Sequence, residues 1–201
     1  MRASFLRIVT GSLLASSASV SPAFGQWTVE VEIGADRYWG GSAETGGENR
    51  SFRPYRPTTF GLGLHRKGHP VGWGVQVHYA GAGLALEGPG TVAVVEGVFT
   101  LVSLSPEAVY RLTTLGPVTE LRLHAGPLFE AWGIIDEDTK VRVGVQSALS
   151  LDVPFGHKLA GSMLVGVALT PSPFAAGELG STFEPRALWR RRFAVGLQYR
   201  L

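Results

Sequence analysis

The chain contains no cysteine. Disulfides, thiolate nucleophiles and zinc–thiolate centres are therefore excluded, and a leader would leave no acceptor for a lipid anchor. Charge is also scarce: Asp, Glu, Lys and Arg make up 17% of residues, where soluble domains carry roughly a quarter. The net charge of +2 comes from Arg2 and Arg7, so the chain beyond residue 25 is formally neutral. No basic patch with interleaved aromatics marks a nucleic-acid surface. Beyond residue 25 there is also no apolar run long enough for a membrane-spanning helix.

What is plentiful is glycine, at 27 residues, within a chain that is 45% hydrophobic. Glycine at that level disfavours long helices and suits tight turns and crowded barrel interiors. The N-terminus has the form of a secretory signal peptide over residues 1–25. Arg2 and Arg7 give a positive start, residues 8–20 are apolar or small, and Ala23-Phe24-Gly25 fits a small-x-small cleavage site. Cleavage there leaves 26–201 as one mature domain.

That domain alternates. Apolar or aromatic side chains occupy every odd position of Phe193, Val195, Leu197, Tyr199 and Leu201, with small or polar residues between them. Period-2 alternation belongs to a strand with one apolar and one polar face. The same pattern predicts eight strands. The first covers 27–38, with Trp27, Val29, Val31 and Ile33 opposite Thr28, Glu30, Glu32 and Asp36. A polar loop over 39–56 leads to a second strand over 57–66. The third starts at Val71 and loses its pattern before Gly90, leaving the register open around 80–106. The fourth covers 96–112, with a bulge expected at Pro106. The fifth covers 118–132 and a loop over 133–139 leads to the sixth, which ends at a turn over 154–157. The seventh covers 158–169, a loop runs over 170–187, and the terminal strand follows.

Connections after strands two, four and six are short, and the others are mostly longer. Such asymmetry separates tight periplasmic turns from extracellular loops, and an even strand count leaves both termini periplasmic. Trp39, Trp132 and Trp189 fall at one end of the strands, and Trp27, Trp73, Tyr110, Phe155 and Tyr199 at the other. Two aromatic girdles are the expected reading.

On the terminal motif, the strand count and this asymmetry, the chain resembles small eight-stranded outer-membrane barrels of the OmpA-transmembrane-domain and OmpX type. Those families most often end on Phe, where this chain ends on Leu201. The resemblance implies an all-β, antiparallel up-and-down transmembrane β-barrel in the bacterial outer membrane, monomeric by default. Its partners would be outer-membrane lipid and lipopolysaccharide, and the barrel-assembly machinery and periplasmic chaperones that insert it. Phe193, Val195, Leu197, Tyr199 and Leu201 would be the insertion signal. No cofactor and no enzymatic motif comes with the resemblance.

Inward positions carry Glu30, Glu32, Asp36, Arg122, Glu130, Arg142, Asp152, Arg192 and Arg200, an expected polar network. Strand one is acidic inside and strand eight basic, so closing the barrel sets complementary charges across the seam. Eight strands leave an interior just wide enough for side chains, which favours a salt-bridged plug over an aqueous path. A structural, surface-interaction or minor-pore role follows.

A lipid-modifying barrel enzyme, a lipid A deacylase or acyltransferase, is one alternative. Ser105 is expected diagonally near His124, with Glu120 and Asp152 too distant to orient the histidine. A metal centre is not expected, because His65 should pair near Gly72, far from His78, while His69 and His157 lie in separate turns. Asp136-Glu137-Asp138 could hold a cation in a loop but reads as a solvated acidic segment. The other alternative is a soluble lipocalin-like barrel, which would place apolar residues inside.

Overall fold

In a computed structural model, eight antiparallel strands close into one barrel in chain order: β1 (Trp27–Glu44), β2 (Ser51–Arg66), β3 (Val71–Gly88), β4 (Thr91–Leu115), β5 (Thr119–Ile134), β6 (Lys140–Pro154), β7 (Leu159–Thr170) and β8 (Phe183–Arg200). The structure describes residues 27–45, 50–88, 90–116, 118–134, 138–175, 178 and 180–201. The expected signal peptide therefore lies outside the described residues. Among them, no helix is long and apolar enough to cross a membrane.

Alternation sets which face is which. Val29, Val31 and Ile33 of β1, Leu62 and Leu64 of β2, Val143 and Val145 of β6, and Val195 and Leu197 of β8 are all exposed on the outer surface. Their neighbours Glu30, Glu32, Asp36, Arg192 and Gln198 are buried inside. Polar-in and apolar-out is the arrangement that a hydrocarbon layer around a barrel requires. It is the reverse of a lipocalin, so the soluble alternative fails on the side-chain directions themselves.

The sheet closes where β1 meets β8, in a register running from Thr28 opposite Arg200 to Glu44 opposite Phe183. Asp36 lies opposite Arg192, so the complementary charges do face each other across the seam. The ladder bulges between Gly40 and Ser42. Gly40 has a φ of +83°, and a Cβ there would lie 2.2 Å from the Ala187 carbonyl oxygen, which only glycine avoids.

Several boundaries differ from the sequence reading. β1 and β2 run into the expected 39–56 loop and leave only residues 45–50 between them. β4 reaches back to Thr91, making β3–β4 a tight hairpin, and β8 begins at Phe183. Long connections at the end of the barrel where β1 finishes are thus replaced largely by strand overhang. Beyond a membrane, outward residues need not be apolar, so the alternation that reveals a strand is lost there. At Pro106 the ladder is interrupted without the expected bulge: β3 pairs through Val75–Pro106 without a shift, the β5 ladder skips residues 105–107 and resumes in the same register, and β4 bulges against β5 between Arg111 and Thr113.

Candidate functional site

The interior divides into two layers. We call the mouth where β1 begins and β8 finishes the lower mouth. Near the upper mouth, Tyr38, Phe99, Leu101, Trp132, Phe174 and Leu188 form a buried apolar cluster that fills the lumen. Tyr38 and Phe99 both meet Trp132 edge-on, with ring centroids 5.9 Å apart in each case. Trp132 is thus a plug residue rather than a member of the expected girdle. It shares the parity of Glu130, which the alternation already turned inward. Trp39 and Trp189 do face out, stacked at 6.2 Å.

Beneath this plug lies an ionic ladder. The Arg192 guanidinium donates to both Asp36 carboxylate oxygens at 2.9 and 3.1 Å, and the Thr59 hydroxyl donates to Asp36 at 3.0 Å. Arg190 reaches Glu130 at 3.1 Å and Asp36 at 3.9 Å, while Arg192 also approaches Glu32 at 3.6 Å. His78 Nε2 sits 2.7 Å from Glu32. Charges this deep must be matched, because each carries a large desolvation cost when left alone. Arg190 and His78, absent from the expected network, are both among its most buried members. Arg190 lies two positions before Arg192, so strand parity alone would have found it.

Of the other expected members, Arg122 pairs with Glu120 and with Asp152, the latter at 3.2 Å. Arg142 is only half-buried and donates to the Ser172 carbonyl at 2.7 Å. Arg200 does not join the network. It is exposed at the lower mouth, where the strand ends and no longer encloses it. There it lines a vestibule of about 490 Å³ together with Lys67, Arg111, Glu120 and Arg122. Burial, with Arg122 and Arg200 nearby, holds the Lys67 ammonium down at about 8.

The vestibule ends on a histidine cluster. His124 Nδ1 lies 2.8 Å from Glu107 Oε1, and its Nε2 lies 2.9 Å from the Ser150 hydroxyl. His65 Nδ1 lies 3.4 Å from the same Glu107 oxygen, and its Nε2 lies 3.2 Å from Glu30. The Ser162 hydroxyl donates to Glu30 in turn. Donor atoms of His65, Glu107 and His124 all fall within 4.8 Å of one another.

This corrects two expectations. His65 pairs with Gly74 rather than near Gly72. His124 pairs with Val109, so Ser105 is out of its reach and donates to the Pro127 carbonyl at 2.9 Å. The serine beside His124 is Ser150, and the carboxylate is Glu107. Ser150, His124 and Glu107 have the contacts of a hydrolytic triad, but Ser150 is 2% exposed and enclosed by the barrel. Asp136 and Glu137 lie outside the described residues, and Asp138 is exposed.

The fold is that of the small eight-stranded outer-membrane β-barrels. The chain is similar to the crystal structure of Neisserial surface protein A, with a TM-score of 0.57 and 10% identity, covering 88% of this chain and 97% of that one. It is also similar to the attachment invasion locus protein Ail of Yersinia pestis, with a TM-score of 0.44 and 13% identity, covering 88% and 99%. The sequence matches no protein-family model and no curated protein.

Proposed function

We propose that this chain is an integral outer-membrane barrel that is closed to solutes and acts at the cell surface through its upper rim. The observation that carries the reading is the filled lumen. The ladder of Asp36, Arg192, Arg190 and Glu130 sits under the plug of Tyr38, Phe99, Trp132 and Leu188. A minor pore would need a continuous aqueous path, and an eight-stranded barrel has no room for one beside these side chains.

In this reading both termini lie on the periplasmic side, and the rim built from the ends of β1–β2 and β3–β4 and from residues 171–175 and 180–182 faces outward. The outer surface just below that rim supports the orientation. Arg37 and Arg191 stand directly opposite each other on adjacent strands, both exposed, with Arg191 4.6 Å over the Trp39 ring. Like charges opposite one another are destabilising unless an anion joins them. The phosphates of lipopolysaccharide in the outer leaflet supply that anion to Arg37 and Arg191, in a groove of about 450 Å³ whose third arginine, Arg53, is already paired with Glu87.

Planar-bilayer recording of the refolded barrel tests closure. The expected result is a heat-modifiable, folded protein that gives no unit conductance steps. Reproducible steps from the folded form would refute the closed reading and restore the minor pore.

A further inference from the structure

We infer that His65, His124 and Glu107 form a binding site for a divalent transition-metal ion of the zinc class, inside the lower half of the barrel. The inference goes beyond the surface role above and stands independently of it.

Charge gives the first argument. Glu30 and Glu107 are buried at 4% and 5% exposure, and among the described residues their ionic contacts run to His65 and His124. The buried arginines are engaged elsewhere, Arg122 by Glu120 and Asp152, and Arg190 and Arg192 by Asp36, Glu32 and Glu130. Two carboxylates therefore share a pocket with two imidazoles and no permanent cation. Two protons or one divalent ion would neutralise them.

Geometry adds a second argument. A protonated histidine needs an aligned acceptor for each N–H. His65 is poorly served at one of them: its buried Nε2 lies 3.2 Å from Glu30 without an aligned hydrogen bond. Instead, the Nδ1 atoms of both histidines converge on one oxygen, Glu107 Oε1, at 2.8 and 3.4 Å. Two imidazole nitrogens and one carboxylate oxygen are a zinc donor set, with a fourth position left for water.

The surroundings fit a site as well. Metal-bound histidines fix their remaining nitrogen through an outer partner, and here Glu30 faces His65 Nε2 while Ser150 faces His124 Nε2. Glu30 is thus a positioning residue. The His65 ring lies against Gly63 and Gly74, where a Cβ would come within 2.6 and 2.5 Å of its two nitrogens. The vestibule, which includes His65 in its lining, provides the access route from solvent.

The test uses the whole refolded barrel, with folding read by the heat-dependent gel shift, and titrates it with Co²⁺ and Zn²⁺. The expected result is one equivalent of Co²⁺ with the intense visible absorption of a four-coordinate ion, displaced by Zn²⁺. His65→Gln and His124→Gln abolish it, and Glu30→Gln weakens binding by about 10- to 100-fold. A chain with His69→Asn and His157→Asn in the turns keeps it. X-ray absorption on the zinc-loaded natural chain reads the ligands without any substitution, with two imidazole nitrogens expected at about 2.0–2.1 Å. Folded barrel that binds no metal at 100 µM, that binds through His69 or His157, or that shows no imidazole shell overturns the proposal. The cluster is then a proton-neutralised structural network only.

Discussion

Removing the charge of Asp36 is the sharpest probe of the closed interior. Asp36 is 2% exposed and accepts two hydrogen bonds from Arg192 and one from Thr59, with Arg190 at 3.9 Å. Asp36→Asn keeps the shape and the Thr59 contact but leaves Arg192 with only Glu32, at 3.6 Å. Breaking one side of a buried pair costs about 3–5 kcal/mol, because the surviving charge stays buried. Arg190 keeps Glu130 at 3.1 Å, so the loss belongs near the lower end, about 3 kcal/mol. The assay is urea unfolding in lipid vesicles, followed by tryptophan emission. A double variant, Asp36→Leu with Arg192→Met, removes both charges and is expected to be more stable than either single change. A cost below about 1 kcal/mol for Asp36→Asn, the level of an exposed pair, would mean that the ladder is solvated and the lumen wet.

Three further outcomes follow from the same geometry. Trp132→Ala empties the largest fully buried side chain of the plug, and a loss of about 3–5 kcal/mol is expected in the same unfolding assay. Lys67 has its ammonium held at about 8 by burial and by Arg122 and Arg200. The unfolded chain, with the ordinary value near 10.5, therefore binds the extra proton between the two values. Stability should rise with pH across that window, and Lys67→Met should abolish the rise. The absence of cysteine makes topology directly readable. Thr182→Cys should react with a membrane-impermeant maleimide on intact cells, and His157→Cys only after the outer membrane is permeabilised; the reverse pattern would invert the orientation.

The barrel was legible in the sequence wherever lipid was to lie against it. From Val29 to Ile33, and from Phe193 to Tyr199, alternation placed each side chain on the face that the structure gives it. The signal failed where that constraint ends. β1 beyond Trp39 and β8 before Leu188 carry mixed residues outward, so both read as loop. Trp132 was misplaced for a related reason: aromatic type suggested a girdle, while its parity said interior. The histidine cluster was hidden differently. Its members come from β2, β4 and β5, so it depends on registers between strands. A shift of two residues, from Gly72 to Gly74 opposite His65, was enough to conceal it.

That dependence also explains why so narrow a lumen holds so many charges. Alternation fixes a strand's register only modulo two, because a slip of one residue turns every apolar side chain inward, whereas a slip of two restores the pattern. Apolar-out packing against lipid therefore cannot distinguish neighbouring even registers. Buried ion pairs can. At the seam, a two-residue slip would set Asp36 opposite Ala194 or Arg190 instead of Arg192. With Ala194 there, Arg192 is left buried without its carboxylate, at about 3–5 kcal/mol. With Arg190 there, Arg192 is carried opposite Gly34, and Glu32 faces Ala194. The first error costs more than the interchangeable valines and leucines outside could recover; the second keeps Asp36 paired but moves Arg192 away from it. The ladder across β1 and β8 therefore discriminates between closures of the barrel that the outer surface would accept equally.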